Sequence, residues 1–281
     1  MTAPSICHVG SVPFGAGELA LIAGPCVAES RDLCLTVAEH LADLCRDLGI
    51  AYVFKASYDK ANRSSAASYR GPGLEKGLSW LAEVRQRLSV PVLSDVHDVS
   101  QVAPAADVLD CLQIPAFLCR QTDLLTEAGR LGKAVNVKKG QFMAPWDMKQ
   151  AVEKVRAAGG RQVLLTDRGT CFGYNRLVTD LRAIPQMQAF APVVFDATHS
   201  VQEPGGLGSA SGGQVQYVSV LAGAAMAAGA DGLFIETHPD PPRAKSDGPC
   251  MVPLTDMKAL LRRCLALFRA ARDQTVVPGG P

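Results

Sequence analysis

Several features that mark particular classes of protein are missing from this 281-residue sequence. Its 28 Lys and Arg residues are balanced by 27 Asp and Glu residues, whereas a nucleic-acid-binding protein of this size is usually more basic. No apolar stretch is long enough to span a bilayer, and the longest, around residues 221–230, is ended by Asp231. The N-terminus lacks a basic segment followed by an apolar one, so no secretory signal is visible. We therefore expect a cytoplasmic protein without nucleic-acid or membrane partners.

The cysteine pattern is also uninformative about disulfides or zinc ribbons. The nine cysteines include no Cys-x-x-Cys pair, and five of them lie in apolar or helical patterns. Without an export signal, such residues are expected to be reduced, buried thiols. Hydrophobic residues make up 48% and charged residues 20% of the chain, an ordinary globular mixture that excludes disorder and collagen.

What recurs along the chain is a short apolar run followed by an amphipathic segment. The runs are Leu19–Gly24, Ala51–Ala56, Pro91–Asp95, Val108–Ile114, Ala134–Lys138, Gln162–Asp167, Val193–Ala197 and Gly232–Glu236. Continuous β-branched runs indicate buried parallel strands, and the segments between them indicate helices, including Arg31–Leu48, Leu74–Leu88, Gln121–Leu131, Met148–Ala158, Val215–Ala228 and Thr255–Ala271. Eight such units predict an α/β fold, a (β/α)8 TIM barrel.

We expect this barrel to be a single domain spanning residues 1–281, with a frayed tail over residues 273–281. Ahead of the first unit, Ile6–Val9, Gly15–Ala16 and Leu19–Ile22 predict an N-terminal β-hairpin that closes the bottom of the barrel. Chemistry in such barrels lies at the carboxyl ends of the strands. Each of the eight predicted strands delivers a polar or ionisable residue to this rim, which therefore predicts an active site.

Cations are concentrated at this rim in a protein of almost no net charge. They are Lys55, Lys60, Arg63, Lys138 and Arg168. A buried cation needs an anionic partner, and Asp95 and Asp167 are too few to serve five of them. The pattern therefore predicts a substrate that carries phosphate and carboxylate groups.

A second group at the rim has the chemistry of a metal site. Cys26, His199 and Glu236 follow or end strands one, seven and eight, which become neighbours when the barrel closes, and Asp247 lies in the loop after strand eight. A thiolate, an imidazole and two carboxylates suit a divalent ion such as Zn²⁺, Fe²⁺ or Mn²⁺. Spacing alone leaves another interpretation open, in which Cys26 is a packed thiol and His199 a hydrogen-bonded strand-end residue.

Long ordered segments carry a resemblance to a known family. They are Ala23-Gly24-Pro25-Cys26-Val27-Ala28-Glu29-Ser30, Tyr52–Ser57, Asp59–Ser65, Tyr69–Gly73, Gln113–Leu118, Arg120–Leu124, Asn136–Lys139, Phe195–His199 and His238–Pro241. From about Leu21 to Leu254 the chain resembles 3-deoxy-D-manno-octulosonate 8-phosphate synthases, also called 2-dehydro-3-deoxyphosphooctonate aldolases. This family condenses phosphoenolpyruvate with D-arabinose 5-phosphate for lipopolysaccharide core synthesis. The related DAHP synthases use erythrose 4-phosphate, and the loop Lys60-Ala61-Asn62-Arg63-Ser64-Ser65 resembles the arabinose 5-phosphate type.

The resemblance also implies site residues. Lys60, Lys138 and Arg168 would hold phosphoenolpyruvate, assisted by Ser57, Gln113 and the backbone of Ala116, with the charge of Lys55 beneath them. Asn62, Arg63 and Ser64 would orient the sugar phosphate, with Asp95 near its hydroxyls. Arg120 would reach the sugar phosphate of a neighbouring subunit, which implies a homotetramer. The expected catalytic residues are Lys60, Asn62, Lys138, His199 and Asp247.

The family has a metal-independent class with Asn at the position of Cys26, so this chain resembles the metal-dependent class. Ser246, which precedes Asp247, agrees with that assignment. The implied ligands are Cys26, His199, Glu236 and Asp247, binding a divalent metal ion, and no organic cofactor is expected.

Overall fold

The computed structural model describes residues 6–63, 65–206, 208 and 211–273. In chain order its strands are β1 (Cys7–Val9), β2 (Val12–Phe14), β3 (Ala20–Gly24), β4 (Ala51–Lys55), β5 (Val92–Asp95), β6 (Cys111–Ile114), β7 (Ala134–Lys138), β8 (Val163–Asp167), β9 (Thr170–Cys171), β10 (Leu177–Val178), β11 (Val193–Asp196), β12 (Gln202–Glu203), β13 (Gly212–Gly213), β14 (Gly232–His238) and β15 (Val252–Pro253). Its α-helices are α1 (Arg31–Leu48), α2 (Leu74–Leu88), α3 (Val99–Val108), α4 (Thr122–Arg130), α5 (Met148–Ala157), α6 (Ala183–Gln188), α7 (Val218–Ala227) and α8 (Met257–Asp273).

Eight parallel strands close into a barrel in the order β3, β4, β5, β6, β7, β8, β11, β14. The ring is complete because β14 pairs with β3 on one side and with β11 on the other. Helices surround the strands, so the predicted (β/α)8 architecture is confirmed. Closure brings the ends of β3, β11 and β14 together at one side of the mouth.

Local sequence explains where the first helix begins and ends. The Ser30 side chain accepts a hydrogen bond of 3.1 Å from the backbone N–H of Leu33, which satisfies one of the free donors of the first turn. Gly49 ends the helix in the left-handed conformation with φ of 66°, a region that glycine enters without steric cost. The apolar face between them, which includes Leu41 and Leu44, is buried.

The hairpin at the amino end differs from the prediction in its second strand. β1 pairs with β2, so that Cys7 lies opposite Phe14, and Leu19–Ile22 belongs mostly to barrel strand β3 instead. The two residues between β1 and β2 include Gly10 with positive φ, which allows a tight turn and explains the closer partner. The apolar side chains of the hairpin pack against an inner layer of the barrel: Ala20, Ile22, Val53, Leu93, Cys111, Ala134, Leu164, Val194 and Phe234. The amino end of the barrel is therefore closed, as expected.

Two helices were not predicted. α3 occupies Val99–Val108, so the predicted strand Val108–Ile114 begins only at Cys111. The sequence of α3 contains Pro104, and its apolar residues are not confined to one face. Helix α6 is only six residues long and also contains a proline. Both lack the amphipathic period that identifies the longer helices.

Other predictions about the chain concern its cysteines and its ends. All nine cysteines are free, and all but Cys171 are buried. The predicted frayed tail lies outside the described residues, except for Asp273, which ends α8. Within the described ranges, no helix has the length and apolar character that a membrane crossing needs.

Candidate active site

A layer of charged side chains lies directly above the apolar floor of the barrel. Because inward and outward residues alternate along a strand, Lys55, two residues after Val53, points into the barrel mouth. Its Nζ lies 2.5 Å from Glu236 Oε1 and 2.9 Å from the carbonyl oxygen of Cys26. Lys138 is likewise buried, with Nζ 2.6 Å from Asp196 Oδ2. Strand alternation thus places two lysine–carboxylate pairs in one layer.

The buried lysines have more carboxylate partners than the sequence predicted. The carboxylates needed by the lysines were undercounted, since Asp196 and Glu236 pair with Lys138 and Lys55. The guanidinium groups of Arg63 and Arg168 differ from the lysines, because they donate to uncharged oxygens. Arg63 donates to Ser246 Oγ and to the carbonyl oxygen of Lys245, at 2.7 and 2.9 Å. Arg168 donates to Gln202 Oε1, and neither arginine forms an ion pair with a carboxylate in the described part of the chain. Lys60 also lies near Glu236, at 3.9 Å, so among the described residues the mouth cations without a carboxylate partner are Arg63 and Arg168.

A chain of hydrogen bonds crosses the opposite side of the same layer. Thr166 Oγ1 donates to Asn136 Oδ1 at 2.7 Å, and Asn136 Nδ2 donates to Gln113 Oε1 at 2.9 Å. Gln113 Nε2 then donates to Asp95 Oδ1 at 2.5 Å, while the Ser57 hydroxyl donates to Asp95 Oδ2. All five side chains are buried. The chain of donors fixes the orientation of both amides, so Asp95 is held as an acceptor on both oxygens.

Asp196 connects Lys138 to His199. Oδ2 of Asp196 lies 2.7 Å from His199 Nδ1, while Oδ1 accepts from the backbone N–H of His199 at 2.9 Å. Burial favours the neutral acid, but His199 and Lys138 hold the pKa of Asp196 well below its ordinary value. A carboxylate at Nδ1 leaves Nε2 of the ring available to another partner, as in carboxylate–histidine–metal arrangements. Nε2 lies 3.6 Å from Glu236 Oε2.

Three of the four predicted metal ligands converge. Ligand atoms of Cys26, Glu236 and Asp247 all lie within 4.8 Å of one another. The Cys26 thiol donates to Asp247 Oδ2 at 3.0 Å, and its Sγ also lies 3.1 Å from Ser246 Oγ. His199 lies outside this compact group but faces Glu236. Asp247 adopts the left-handed conformation, with φ of 51°, an uncommon backbone for a non-glycine residue that often marks functional sites.

The converging residues fit a cation on physical grounds. Glu236 Oε2 is buried and accepts no hydrogen bond from the described residues, although an unsatisfied buried carboxylate oxygen is costly. Burial raises the pKa of the Cys26 thiol well above its ordinary value, and Asp247 and Glu236 act in the same direction. A metal ion would satisfy the free oxygen and offset this clustering of anionic groups. This group can therefore hold a metal ion.

A cavity of about 810 Å³ opens above these layers and gathers most of the predicted site. The predicted residues that line it are Lys55, Lys60, Asn62, Arg63, Asp95, Gln113, Ala116, Lys138, Arg168, His199, Glu236 and Asp247. Cys26 and Ser57 are buried behind the lining, and Arg120 is exposed outside it. The prediction for Ser64 lies outside the described residues.

Sequence reasoning missed several residues that hold the site. Asp196 ends β11 two positions after the inward-facing Val194, so the strand period alone could have identified it. The same period places Asn136 and Thr166 on the inner face of β7 and β8. Gln202 gave no signal in the sequence, because its role depends on where the loop after β11 returns to the cavity.

The fold and the site define a class of protein: an enzyme on a (β/α)8 barrel whose mouth combines arginines that contact only uncharged oxygens of the described residues with a group able to hold a metal ion. Comparison with known proteins narrows this class, since the model of the DAHP synthetase I family matches residues 6–267. The chain belongs to that family.

Individual relatives carry a more specific name. A 2-dehydro-3-deoxyphosphooctonate aldolase of Desulfotalea psychrophila is 58% identical over 262 residues, covering 92% of this chain and 93% of the relative. Proteins of the same name from Trichlorobacter lovleyi and Geobacter sp. strain M21 are 56% and 58% identical, covering 94% and 91% of this chain and 98% and 94% of their own. These names support the aldolase activity over DAHP synthesis.

Proposed function

We propose that this enzyme condenses phosphoenolpyruvate with D-arabinose 5-phosphate and water, giving 3-deoxy-D-manno-octulosonate 8-phosphate and inorganic phosphate. The observation that carries the proposal is a mouth with two arginines that have no carboxylate partner among the described residues, set above two buried lysines. Two phosphorylated substrates, one of them also a carboxylate, supply anionic groups for these two arginines. The names of the relatives supply the particular sugar acid.

Phosphoenolpyruvate occupies the deeper part of the cavity in this proposal. Lys138, Lys60 and Arg168 hold its carboxylate and phosphate, and the backbone of Ala116 assists. Lys55 adds positive charge from below while its own Nζ stays with Glu236. Burial lowers the pKa of Lys138, opposed by Asp196, so the lysine sits where an arriving anion stabilises its charged form.

The sugar phosphate lies nearer the loops. Arg63, Asn62 and Ser64 orient the phosphate of arabinose 5-phosphate. Asp95 accepts hydrogen bonds from the sugar hydroxyls. Gln113 and Ser57 assist phosphoenolpyruvate binding, and each also donates a hydrogen bond to one oxygen of Asp95. Holding two mutually repelling anions in contact geometry is the main work of these cations.

The reaction then balances without a covalent enzyme intermediate. A bond forms between C3 of phosphoenolpyruvate and the aldehyde carbon, and water adds at C2. The bond between C2 and the oxygen that carries the phosphorus breaks, and inorganic phosphate leaves. The proton lost by water balances the one gained by the sugar oxygen, and the proton of the new C2 hydroxyl accompanies the phosphate. The enol is already present in the substrate, so no lysine Schiff base is required.

A divalent metal ion belongs to this proposal, with Cys26, His199, Glu236 and Asp247 as its ligands. When bound, such an ion supplies positive charge that polarises nearby oxygen atoms. Cys26→Ala is expected to lose bound metal, measured by elemental analysis, and most phosphate release. Full turnover of this variant after chelation would contradict the ligand assignment.

A homotetramer completes the proposal, with Arg120 of one copy reaching the sugar-phosphate site of another. Large side chains on the loops after β6, β7 and β8 are more than half exposed: Phe117, Phe142, Trp146, Phe172 and Tyr174. Exposed apolar groups of this kind on one rim favour contact with another protein surface. Mixing Arg120→Ala subunits with Cys26→Ala subunits should restore part of the activity if sites are shared between copies.

The test of the reaction is phosphate release from phosphoenolpyruvate with arabinose 5-phosphate or erythrose 4-phosphate, each with and without EDTA. We expect release with arabinose 5-phosphate that EDTA abolishes and a divalent metal restores. Preference for erythrose 4-phosphate would replace the proposed activity with DAHP synthesis. Release that resists EDTA would keep the reaction and refute the metal.

A further inference from the structure

The side chain of Gln202 touches both halves of the site. It lies at the start of β12, just after the short helical turn of His199–Val201, and lines the cavity half-buried. Arg168 Nη2 donates to its Oε1 at 2.7 Å. Its Nε2 donates to Asp247 Oδ1 at 2.8 Å. One amide therefore bridges the anion-binding arginine and a carboxylate of the metal-ligand group.

The two neighbours allow the amide only one orientation. A guanidinium can only donate, so Arg168 requires the oxygen end of Gln202. An ionised carboxylate can only accept, so Asp247 requires the nitrogen end. Glutamine is the uncharged side chain that meets both demands at this length. Asparagine is one methylene shorter and cannot span both partners from the same backbone position.

Each end of the Gln202 amide contacts a group that can still bind a further partner. Arg168 Nε is buried and has no hydrogen-bond partner among the described residues, so this guanidinium is held ready for a further acceptor. At the other end, Gln202 fixes Oδ1 of Asp247, which leaves Oδ2 facing Cys26 Sγ at 3.0 Å. Partners of this kind orient metal ligands and commonly change metal affinity by about 10–100-fold when they are removed.

We infer that Gln202 is a positioning residue that couples anion binding at Arg168 to cation binding at Cys26, Glu236 and Asp247. The inference rests on the proposed function, because it takes phosphoenolpyruvate as the anion and a divalent ion as the cation. An anion that fixes Arg168, or a cation that fixes Asp247, also fixes the Gln202 amide between them. The second ligand then meets a group already ordered, so each ligand tightens binding of the other by the same factor.

Direct attraction between the two ligands also contributes to this coupling, so the measurement must isolate the amide. We would determine the affinity of metal-stripped protein for Co²⁺ by chelator competition, with and without saturating phosphoenolpyruvate. The ratio of the two affinities is the coupling factor. Gln202→Met keeps the side-chain length and removes both hydrogen bonds, and Gln202→Asn keeps an amide that is too short.

The matched control is Gln214→Met, because Gln214 lies on the adjoining loop and donates to Glu203 Oε1 instead. We expect the coupling factor to fall about tenfold in both Gln202 variants and to stay at the wild-type value in Gln214→Met. An unchanged factor in Gln202→Met, or no coupling in wild type that binds both Co²⁺ and phosphoenolpyruvate, would overturn the inference alone. Wild-type protein that binds no Co²⁺ would overturn the proposed metal site and the inference together.

Discussion

Replacing Thr166 by valine removes a single hydroxyl from the middle of the barrel and leaves the side-chain shape almost unchanged. That hydroxyl is the first donor in the chain that runs through Asn136 and Gln113 to Asp95. Without it, Asn136 Oδ1 has lost its donor inside the barrel, and the amide no longer has one favoured orientation. We therefore expect Thr166→Val to weaken both the fold and the positioning of Asp95.

The size of the effect follows from the contact. A buried acceptor that loses its partner costs about 1–3 kcal/mol of folding free energy. For a chain of this size, each kcal/mol lowers the melting temperature by about 2–4 °C. Two amides separate Thr166 from Asp95, so we expect about a tenfold loss of turnover with arabinose 5-phosphate rather than complete inactivation.

The assay combines thermal unfolding with steady-state phosphate release. Thr166→Ser keeps the hydroxyl and should recover most of the lost turnover. Thr179→Val is the matched control, because Thr179 Oγ1 is buried without a hydrogen-bond partner in the described ranges, so the same substitution there should cost nothing. Wild-type stability and turnover in Thr166→Val, or equal losses in Thr166→Ser, would refute the reasoning.

Two further predictions concern the same layer. Burial opposes ionisation of Glu236, but Lys55, His199 and Lys60 lower its pKa from the ordinary 4.5 to about 2. The folded pKa is below the unfolded one, so this group contributes roughly 3 kcal/mol above pH 4.5 and loses it as the pH falls towards 2. Acid unfolding of metal-stripped protein, followed by circular dichroism, should therefore occur in that window and move to higher pH in Lys55→Met; an unmoved transition would argue against the pair. Gly24→Ala would place a Cβ on the carbonyl oxygen of Lys55 in the paired strand, so we expect a loss of about 3 kcal/mol or more, and a wild-type melting temperature would contradict this packing.

The barrel could be predicted from sequence because each strand lies in a run rich in apolar residues and helices such as α1, α2 and α8 have a clear apolar face. Helices α1 and α2 have the predicted bounds, and capping by Ser30 and Gly49 explains the first of them. α3 was missed for the converse reason, since its Ala- and Val-rich sequence has no polar face and contains a proline. The hairpin partner of β1 was wrong because turn length, not hydrophobicity, decides the register.

The site was predictable wherever strand order alone brings residues together. Cys26 and Glu236 follow from closure of the barrel, because β3 and β14 pair. The partners of the lysines required the inward-facing period of each strand as well, and the carboxylate of Asp196 was overlooked. Gln202 required the path of a loop, which depends on contacts distant in sequence and leaves no local pattern.

The apolar inner layer of the barrel, which packs on the hairpin at the amino end, gives the cavity a closed floor. A molecule held against Lys55 and Lys138 can leave only past whatever occupies the loops above it, near Arg63. In a cavity with one opening, the molecule that binds last, nearest the loops, has to leave before the molecule beneath it. The deeper substrate has to arrive before the shallower one, and an unreactive sugar phosphate bound at the rim would trap the molecule beneath it. In the proposed arrangement, the closed floor beneath Lys55 and Lys138 therefore sets the order in which the two substrates bind.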